Sequence, residues 1–216
     1  MDMSKQNILQ KIEESGVIAV IRLNSSEKLP QIIDALAKGG VRALEVTMTT
    51  PNAIEIIQEA SKNLSDDFIL GVGTVLDQET ARMAILAGAE FVVSPVLNIS
   101  LIKMVNRYGK VMISGAFTPT EILAAWENGA DVVKVFPATT LGTKYFKDVK
   151  GPLPQVKLTP TGGVSLDNTA EFIKVGASCV GVGSALLDKK MIEENDWDGL
   201  TKLASMFRAE VEKGRN

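Results

Sequence analysis

Acid–base chemistry in this sequence has to come from carboxylates, lysines or tyrosines, because histidine is absent. The 216 residues contain no histidine and a single cysteine, Cys179. These counts exclude a Ser-His-Asp triad, a Cys-His dyad, a histidine-ligated zinc site and a disulfide within the chain. The remaining candidates are Glu, Asp, Lys and the two tyrosines, Tyr108 and Tyr145.

Three charged residues interrupt apolar, strand-like runs. Lys134 lies in the run VVKVF, Glu45 lies in ALEVT, and Arg22 ends VIAVIR. Side chains alternate along a strand, so in a closed barrel one set faces the axis and the other faces the surrounding helices. The alternation places all three charges on the axial side. Burial costs on the order of several kcal/mol per ion unless the ions are paired, so the pattern indicates a buried ion-pair network or a catalytic site.

A buried lysine favours covalent chemistry on a carbonyl group. Loss of water disfavours the ammonium form, lowers the lysine pKa and gives an amine that attacks a ketone. The resulting Schiff base accepts electrons and permits cleavage of a neighbouring carbon–carbon bond. Glu45 is the inward carboxylate that would move the protons. Arg22 would hold a substrate carboxylate or form a salt bridge to Glu45, and the sequence leaves both interpretations open.

Two glycine-rich turns indicate a phosphate site. They are Thr161-Gly162-Gly163 and Gly181-Val182-Gly183-Ser184, which follow the last two strand-like runs. Barrel enzymes often bind phosphate with these two loops, because bare main-chain N–H groups can approach the oxygens. The turns therefore predict that the substrate carries a phosphate group.

Eight strand-like runs, separated by helical stretches, must position these residues. The runs are Val17–Arg22, Ala43–Thr47, Phe68–Gly73, Phe91–Ser94, Val111–Ser114, Val132–Phe136, Val156–Thr161 and Cys179–Gly183. Every second run follows a glycine suited to end a helix, namely Gly40, Gly88, Gly129 and Gly176. The repetition predicts an α/β fold, a single (β/α)8 TIM barrel over residues 1–216.

The remaining segments are expected to be flanking helices and helix starts. Residues 1–15 predict an N-terminal flanking helix, and residues 188–216 predict further helix at the other end. Thr50 and Thr118 each precede a proline, which is favoured in the first turn, so both are expected to start helices. Both positions directly follow strands, at the rim where barrel active sites form.

Composition favours a cytoplasmic protein. The net charge is −3 and the isoelectric point about 5.2, without a block of basic residues, so a nucleic-acid surface is not expected. The longest strongly apolar run, Val17–Ile21, is too short to cross a bilayer, and the first six residues lack the apolar segment of a signal peptide. We therefore expect neither nucleic acid nor membrane as a partner.

Five motifs occur in an order that resembles a known family. They are Leu44-Glu45-Val46-Thr47, Gly71-Val72-Gly73-Thr74-Val75, Ser94-Pro95, Lys134-Val135-Phe136-Pro137-Ala138 and Pro160-Thr161-Gly162-Gly163-Val164. The chain is similar in these motifs to the bacterial 2-keto-3-deoxy-6-phosphogluconate aldolase / 4-hydroxy-2-oxoglutarate aldolase family. The resemblance implies a Schiff-base aldolase, a carbon–carbon lyase of the Entner–Doudoroff pathway that needs no metal or cofactor and generally forms a homotrimer.

The resemblance also implies roles for individual residues. Lys134 matches the Schiff-base lysine and Glu45 the general acid/base. Thr74, Pro95, Phe136 and Thr161 match residues that line the pyruvate end, and Gly162, Gly163, Gly183 and Ser184 match the phosphate-binding positions. The alternation of the third strand is taken to turn Thr74 toward the axis.

One departure from the pattern of the family leaves the choice of substrate undetermined. Some family members carry an arginine where this sequence has Thr49, and others carry one at the position of Arg22. The expected reaction converts 2-keto-3-deoxy-6-phosphogluconate to pyruvate and glyceraldehyde 3-phosphate, with 4-hydroxy-2-oxoglutarate, cleaved to pyruvate and glyoxylate, as a second substrate. The alternatives are an aldolase for the 6-phosphogalactonate epimer, a metal-dependent pyruvate aldolase and a non-catalytic sugar-phosphate-binding barrel.

Overall fold

Eight short parallel strands form the centre of the molecule. The computed structural model describes residues 4–22, 27–65 and 67–216. Within these residues the strands are β1 (Val17–Ile21), β2 (Ala43–Thr47), β3 (Ile69–Gly73), β4 (Phe91–Val93), β5 (Val111–Ala116), β6 (Val132–Val135), β7 (Leu158–Pro160) and β8 (Val180–Val182). Their composition, rich in valine and isoleucine, suits strands that are covered on both faces. The eight predicted runs are confirmed, with ends that differ by at most two residues.

Helices connect the strands and cover the outside of the sheet. They are α1 (Lys5–Ser15), α2 (Leu29–Lys38), α3 (Ala53–Asn63), α4 (Gln78–Leu86), α5 (Ile99–Arg107), α6 (Pro119–Glu127), α7 (Ala138–Lys150), α8 (Leu166–Lys174), α9 (Lys189–Glu194) and α10 (Trp197–Arg215). Both predicted flanking segments are therefore helical, although residues 1–3 lie outside the described residues. No described helix combines the length and apolarity that a membrane span requires.

The predicted helix boundaries are confirmed with one exception. Gly40, Gly88, Gly129 and Gly176 all have left-handed φ angles, between 85° and 114°. Thr118 starts α6 in a capping box, because its hydroxyl accepts the Glu121 N–H and the Glu121 carboxylate accepts the Thr118 N–H. The prediction for Thr50 is wrong. Its N–H donates to the Thr47 carbonyl in a tight turn, and α3 begins only after Asn52.

The sheet closes into a barrel where β7 meets β8, the two strands at the ends of the paired order. The paired strands run in the order β7-β6-β5-β4-β3-β2-β1-β8, and single bridges join Leu158 to Ala177 and Thr161 to Gly181 across the remaining seam. The buried Thr159 hydroxyl strengthens this seam by donating to the Cys179 carbonyl at 2.9 Å. The structure is therefore a (β/α)8 barrel, as predicted.

Two separate hydrophobic cores confirm the predicted alternation in β1, β2 and β6. Ala19, Leu44 and Val133 belong to the outer core between strands and helices. The smaller inner core lies on the barrel axis and contains Ile18, Ala43, Ile69, Phe91, Val93, Val111, Ile113, Val132 and Cys179. Ile8 and Ile12 of α1 also belong to it, so the N-terminal helix packs against the interior of the barrel.

We predict that Ile12→Ala lowers the free energy of unfolding by about 2–5 kcal/mol, because it removes a fully buried side chain from the inner core. Urea denaturation measures the change. Gln10→Ala, on the exposed side of the same helix, is the control and should change stability by less than about 0.5 kcal/mol. An equal effect of the two substitutions would contradict packing of α1 against the barrel interior.

Candidate active site

Lys134 and Glu45 lie on opposite sides of the barrel interior. Lys134 is on β6 and Glu45 is on β2, four strands away in a barrel of eight. Lys134 pairs with Thr159 of β7, and Glu45 pairs with Val20 of β1. The two side chains are only 4% and 2% exposed. The amine and the carboxyl group therefore face each other across the axis, largely out of contact with bulk water.

Burial has the largest effect on the pKa of Lys134. Loss of water lowers the pKa of its amine, and the positive charge of Arg22 lowers it further, whereas the negative charge of Glu45 raises it. The Phe136 ring, whose centroid lies 4.9 Å from the Lys134 Nζ, favours the ammonium form. Desolvation is the largest of the pKa effects, so the site shifts Lys134 toward the neutral amine, which is the nucleophilic form.

The pKa of Glu45 is shifted in the opposite direction, upward. Burial raises its pKa, while the positive charges of Lys134 and Arg22 lower it. Its Oε1 atom is buried without a hydrogen-bond partner among the described residues. A buried carboxyl oxygen of this kind calls for a water molecule or a substrate hydroxyl. Glu45 is thus able to take up and release a proton at the barrel axis.

Arg22 shares a cavity with both glycine-rich turns. This cavity of about 300 Å³ opens at the rim between β1, β7 and β8. Seven predicted site residues line it: Arg22, Phe136, Thr161, Gly162, Gly163, Gly183 and Ser184. The Arg22 side chain is exposed, and an added methyl group at Gly183 would contact its guanidinium at 3.6 Å. One cationic group and two main-chain turns therefore surround the same space, which suits an anion.

The first glycine turn requires glycine for two reasons. Gly162 and Gly163 have φ angles of 85° and 74°, which side chains rarely adopt. A methyl group at Gly163 would also come within 3.0 Å of the Thr139 Cα. Neither N–H group has a main-chain acceptor among the described residues. Both N–H groups are thus free for an anionic ligand, beside the N-terminus of α8.

The structure places Thr74 and Pro95 outside this cavity, at the ends of β3 and β4. The alternation argument for Thr74 is wrong, because Val72 belongs to the outer core and strict alternation would send residue 74 outward as well. The chain instead leaves β3 at Gly73, and Thr74 adopts φ 59°, a strained value for a β-branched residue. Pro95 is half-buried and lies against Gly115, the neighbour of Lys134 on β5.

Two threonines near the site were not among the predicted site residues. Thr159 lies beside Lys134 and is 1% exposed. The strand pattern could have predicted Thr159, because this residue faces the barrel interior as its pairing partner Lys134 does. Thr47, at the inward end of β2, is fully buried, and its hydroxyl lies 2.9 Å from that of Thr49. The position that holds arginine in some relatives is therefore part of a hydroxyl cluster here.

Comparisons with known proteins show the family of this chain. The model of the KDPG and KHG aldolase family matches residues 8–203. The chain belongs to this aldolase family. It is 33% identical over 204 residues to a 2-dehydro-3-deoxy-phosphogluconate aldolase of Haemophilus influenzae, covering 94% of this chain and 96% of the relative.

Two solved aldolase structures resemble the barrel closely. A KDPG aldolase from Legionella pneumophila, with pyruvate captured as a covalent carbinolamine, is 30% identical with a TM-score of 0.85, covering 92% of this chain and 96% of that one. The 2-keto-3-deoxy-6-phosphogluconate aldolase of Zymomonas mobilis, with 3-phosphoglycerate, is 28% identical with a TM-score of 0.85, covering 95% and 97%.

Membership in the aldolase family identifies the protein as a carbon–carbon lyase of the Schiff-base type. The alternative of a metal-dependent aldolase requires a cluster of inward carboxylates. In residues 4–22, 27–65 and 67–216, no three Cys, Asp or Glu side chains come together in that way. Glu45 therefore belongs to no such cluster within these residues.

We predict that the stability difference between Glu45→Gln and the wild type depends on pH. Because burial raises the pKa of Glu45 above 4.5, the folded protein keeps a proton that the unfolded chain releases. The contribution of Glu45 to stability therefore falls as the pH rises above about 4.5. Glutamine does not titrate, so the difference in the free energy of unfolding shifts in favour of the variant between pH 4.5 and neutrality.

Urea denaturation at several pH values tests this prediction. Glu59→Gln, which changes an exposed carboxylate on α3, is the matched control against which the slope is compared. A difference that stays constant, or that shifts in favour of the wild type as the pH rises, would show that the folded barrel does not disfavour the Glu45 carboxylate.

Proposed function

We propose that this protein cleaves 2-keto-3-deoxy-6-phosphogluconate to pyruvate and glyceraldehyde 3-phosphate through a Schiff base on Lys134. The observation that carries the proposal is the buried amine on β6 facing the buried carboxyl group on β2. The glycine turns support a substrate with a phosphate group. In addition, 4-hydroxy-2-oxoglutarate is proposed as a second, unphosphorylated substrate.

The first half of the proposed reaction joins the substrate to Lys134. The neutral amine attacks the C2 ketone of the 2-oxo acid and forms a carbinolamine. Glu45, through one water molecule, moves the protons that allow hydroxide to leave as water, so that an iminium remains. The buried position of Lys134 assists this step, because burial lowers the pKa of the amine and leaves its lone pair free to attack.

The second half of the reaction breaks the C3–C4 bond. Glu45 removes the proton of the C4 hydroxyl, the aldehyde leaves, and the bonding electrons move toward the iminium nitrogen. The enamine of pyruvate then takes a proton at C3, and water hydrolyses the new iminium to release pyruvate. The unpaired Glu45 Oε1 is the group assigned to both proton transfers.

The proposed orientation places the phosphate and the carboxylate of the substrate at different parts of the rim cavity, which Arg22 and both glycine turns line. The phosphate occupies the cavity between the two glycine turns, where main-chain N–H groups and the N-terminus of α8 favour an anion. Arg22 is assigned to the carboxylate because its charge acts on both Lys134 and Glu45, so its guanidinium lies near the reacting end. Thr74, Pro95, Phe136 and Thr161 are proposed to enclose the pyruvate portion.

We predict that sodium borohydride reduces an imine between pyruvate and Lys134. Peptide mass analysis should find the added group on this lysine, and Lys134→Met should lose both the label and the retro-aldol activity. Lys147→Met, which removes an exposed lysine on α7, is the control and should keep both. Full activity of Lys134→Met would exclude the mechanism, and phosphate binding without imine trapping would favour a non-catalytic sugar-phosphate-binding barrel.

We predict that Arg22→Ala raises KM for pyruvate in the aldol direction by about 10-fold or more, because a bidentate ion pair is lost. The KM for the phosphorylated aldehyde should change less. Ser184→Ala is the comparison variant, since Ser184 lines the same cavity. This substitution should mainly raise KM for the phosphorylated aldehyde. The opposite pattern for Arg22→Ala would assign its guanidinium to the phosphate.

The epimer used at C4 is decided by retro-aldol turnover on the gluconate and galactonate phosphates and on 4-hydroxy-2-oxoglutarate, compared by kcat/KM. A higher value for the galactonate phosphate would replace the proposed substrate by its epimer. A homotrimer and a place in the Entner–Doudoroff pathway remain predictions from the resemblance, and a cytoplasmic location remains a prediction from the composition.

A further inference from the structure

Gly73 is the last residue of β3 and faces the interior of the barrel. It pairs with the inward residue Thr47 on β2, and its φ is outside the left-handed region. An alanine could therefore adopt the same backbone conformation. The need for glycine at this position is spatial rather than conformational.

The Glu45 side chain occupies the space that a side chain at residue 73 would need. A methyl group built on Gly73 would lie 2.6 Å from the Glu45 Cγ, and the Cδ and Oε1 atoms are nearer still. The direct pairing partner of Glu45 on β3 is Gly71, two residues earlier. The Glu45 side chain thus leans along the strands toward the rim, past its own pairing partner and into the space in front of Gly73.

A second inward glycine on the same strand has a different neighbour. A methyl group at Gly71 would overlap the ring of Phe91, which is fully buried in the inner core. Gly71 therefore makes room for core packing, whereas Gly73 makes room for the carboxyl group. The chemical difference between these neighbours provides a matched pair of positions for experiment.

We propose that Gly73 is a positioning residue, which acts by leaving the gap that holds the Glu45 carboxyl group against the barrel axis, opposite Lys134. This inference rests on the proposed function, in which Glu45 transfers the protons. The carboxyl group is the flexible end of its side chain, so a methyl group at residue 73 displaces it while the strands stay in place. The expected consequence is a loss of proton transfer with little loss of folding stability.

A double-mutant cycle tests this proposal through kcat/KM for retro-aldol cleavage. Gly73→Ala should lower kcat/KM on the order of 10²-fold or more in the wild-type background, as loss of a general acid–base does. In the Glu45→Gln background the same change should cost less than about 3-fold, because the group that Gly73 positions no longer transfers protons. Gly71→Ala, the control, should cost a similar factor in both backgrounds.

Exchange of the pyruvate methyl protons with deuterium oxide gives a second readout, because it follows proton transfer without carbon–carbon cleavage. Gly73→Ala should slow this exchange on the order of 10²-fold, and Glu45→Gln should slow it by a similar factor. If the gap at Gly73 served packing alone, Gly73→Ala would leave the exchange rate per folded molecule unchanged. An exchange rate close to that of the wild type would overturn the proposal.

If Gly73→Ala does not fold, a double variant still tests the proposal. Glu45→Ala removes the atoms that obstruct a methyl group at residue 73, so the double variant Glu45→Ala/Gly73→Ala should fold as stably as Glu45→Ala alone. A double variant that still fails to fold would overturn the proposal. If the wild-type protein itself shows no retro-aldol activity, the proposed function fails, and that result is separate from any outcome of the cycle.

Discussion

Removal of a lysine ammonium and a glutamate carboxylate from water is the constraint on which the site depends. Lys134 and Glu45 are both almost fully buried, so desolvation shifts both groups toward their neutral forms while their mutual attraction opposes that shift. Arg22 lowers the pKa of both groups. It therefore favours a neutral amine beside a charged carboxylate, the combination of nucleophile and base that imine chemistry requires.

The barrel provides this arrangement because strands four apart in a closed sheet of eight face each other. An open sheet would leave β2 and β6 about 19 Å apart at the ordinary strand spacing, too far for one substrate to contact both. The seam between β7 and β8 is therefore important, since the Thr159 hydroxyl and two bridges complete the closure. The same seam brings the two glycine turns together, so closure of the barrel also forms the anion cavity.

Much of the fold and the main site pair could be predicted from the sequence. Strand periodicity identifies the inward phase of Lys134 and Glu45, and the repeated glycines mark alternate units of the barrel. The failures occur where the chain leaves regular structure. Thr50 forms a tight turn instead of a helix cap. The prediction for Thr74 used the wrong phase of β3, since Val72 belongs to the outer core, and the chain then leaves the strand at a left-handed φ.

Other features depend on distances that the linear sequence does not contain. The gap at Gly73 exists because the Glu45 side chain leans along the strand, and the shared cavity of Arg22 depends on how closely the β7 and β8 loops approach. Burial lowers the pKa of the Lys134 amine below the usual lysine value of 10.5, and the proposed chemistry depends on this shift. An NMR titration of ¹⁵N-labelled lysine, with Lys134 assigned from the spectrum of Lys134→Met, measures this directly. A midpoint clearly below 10.5 is expected, and a midpoint at or above that value would show that burial does not shift Lys134 toward the neutral amine.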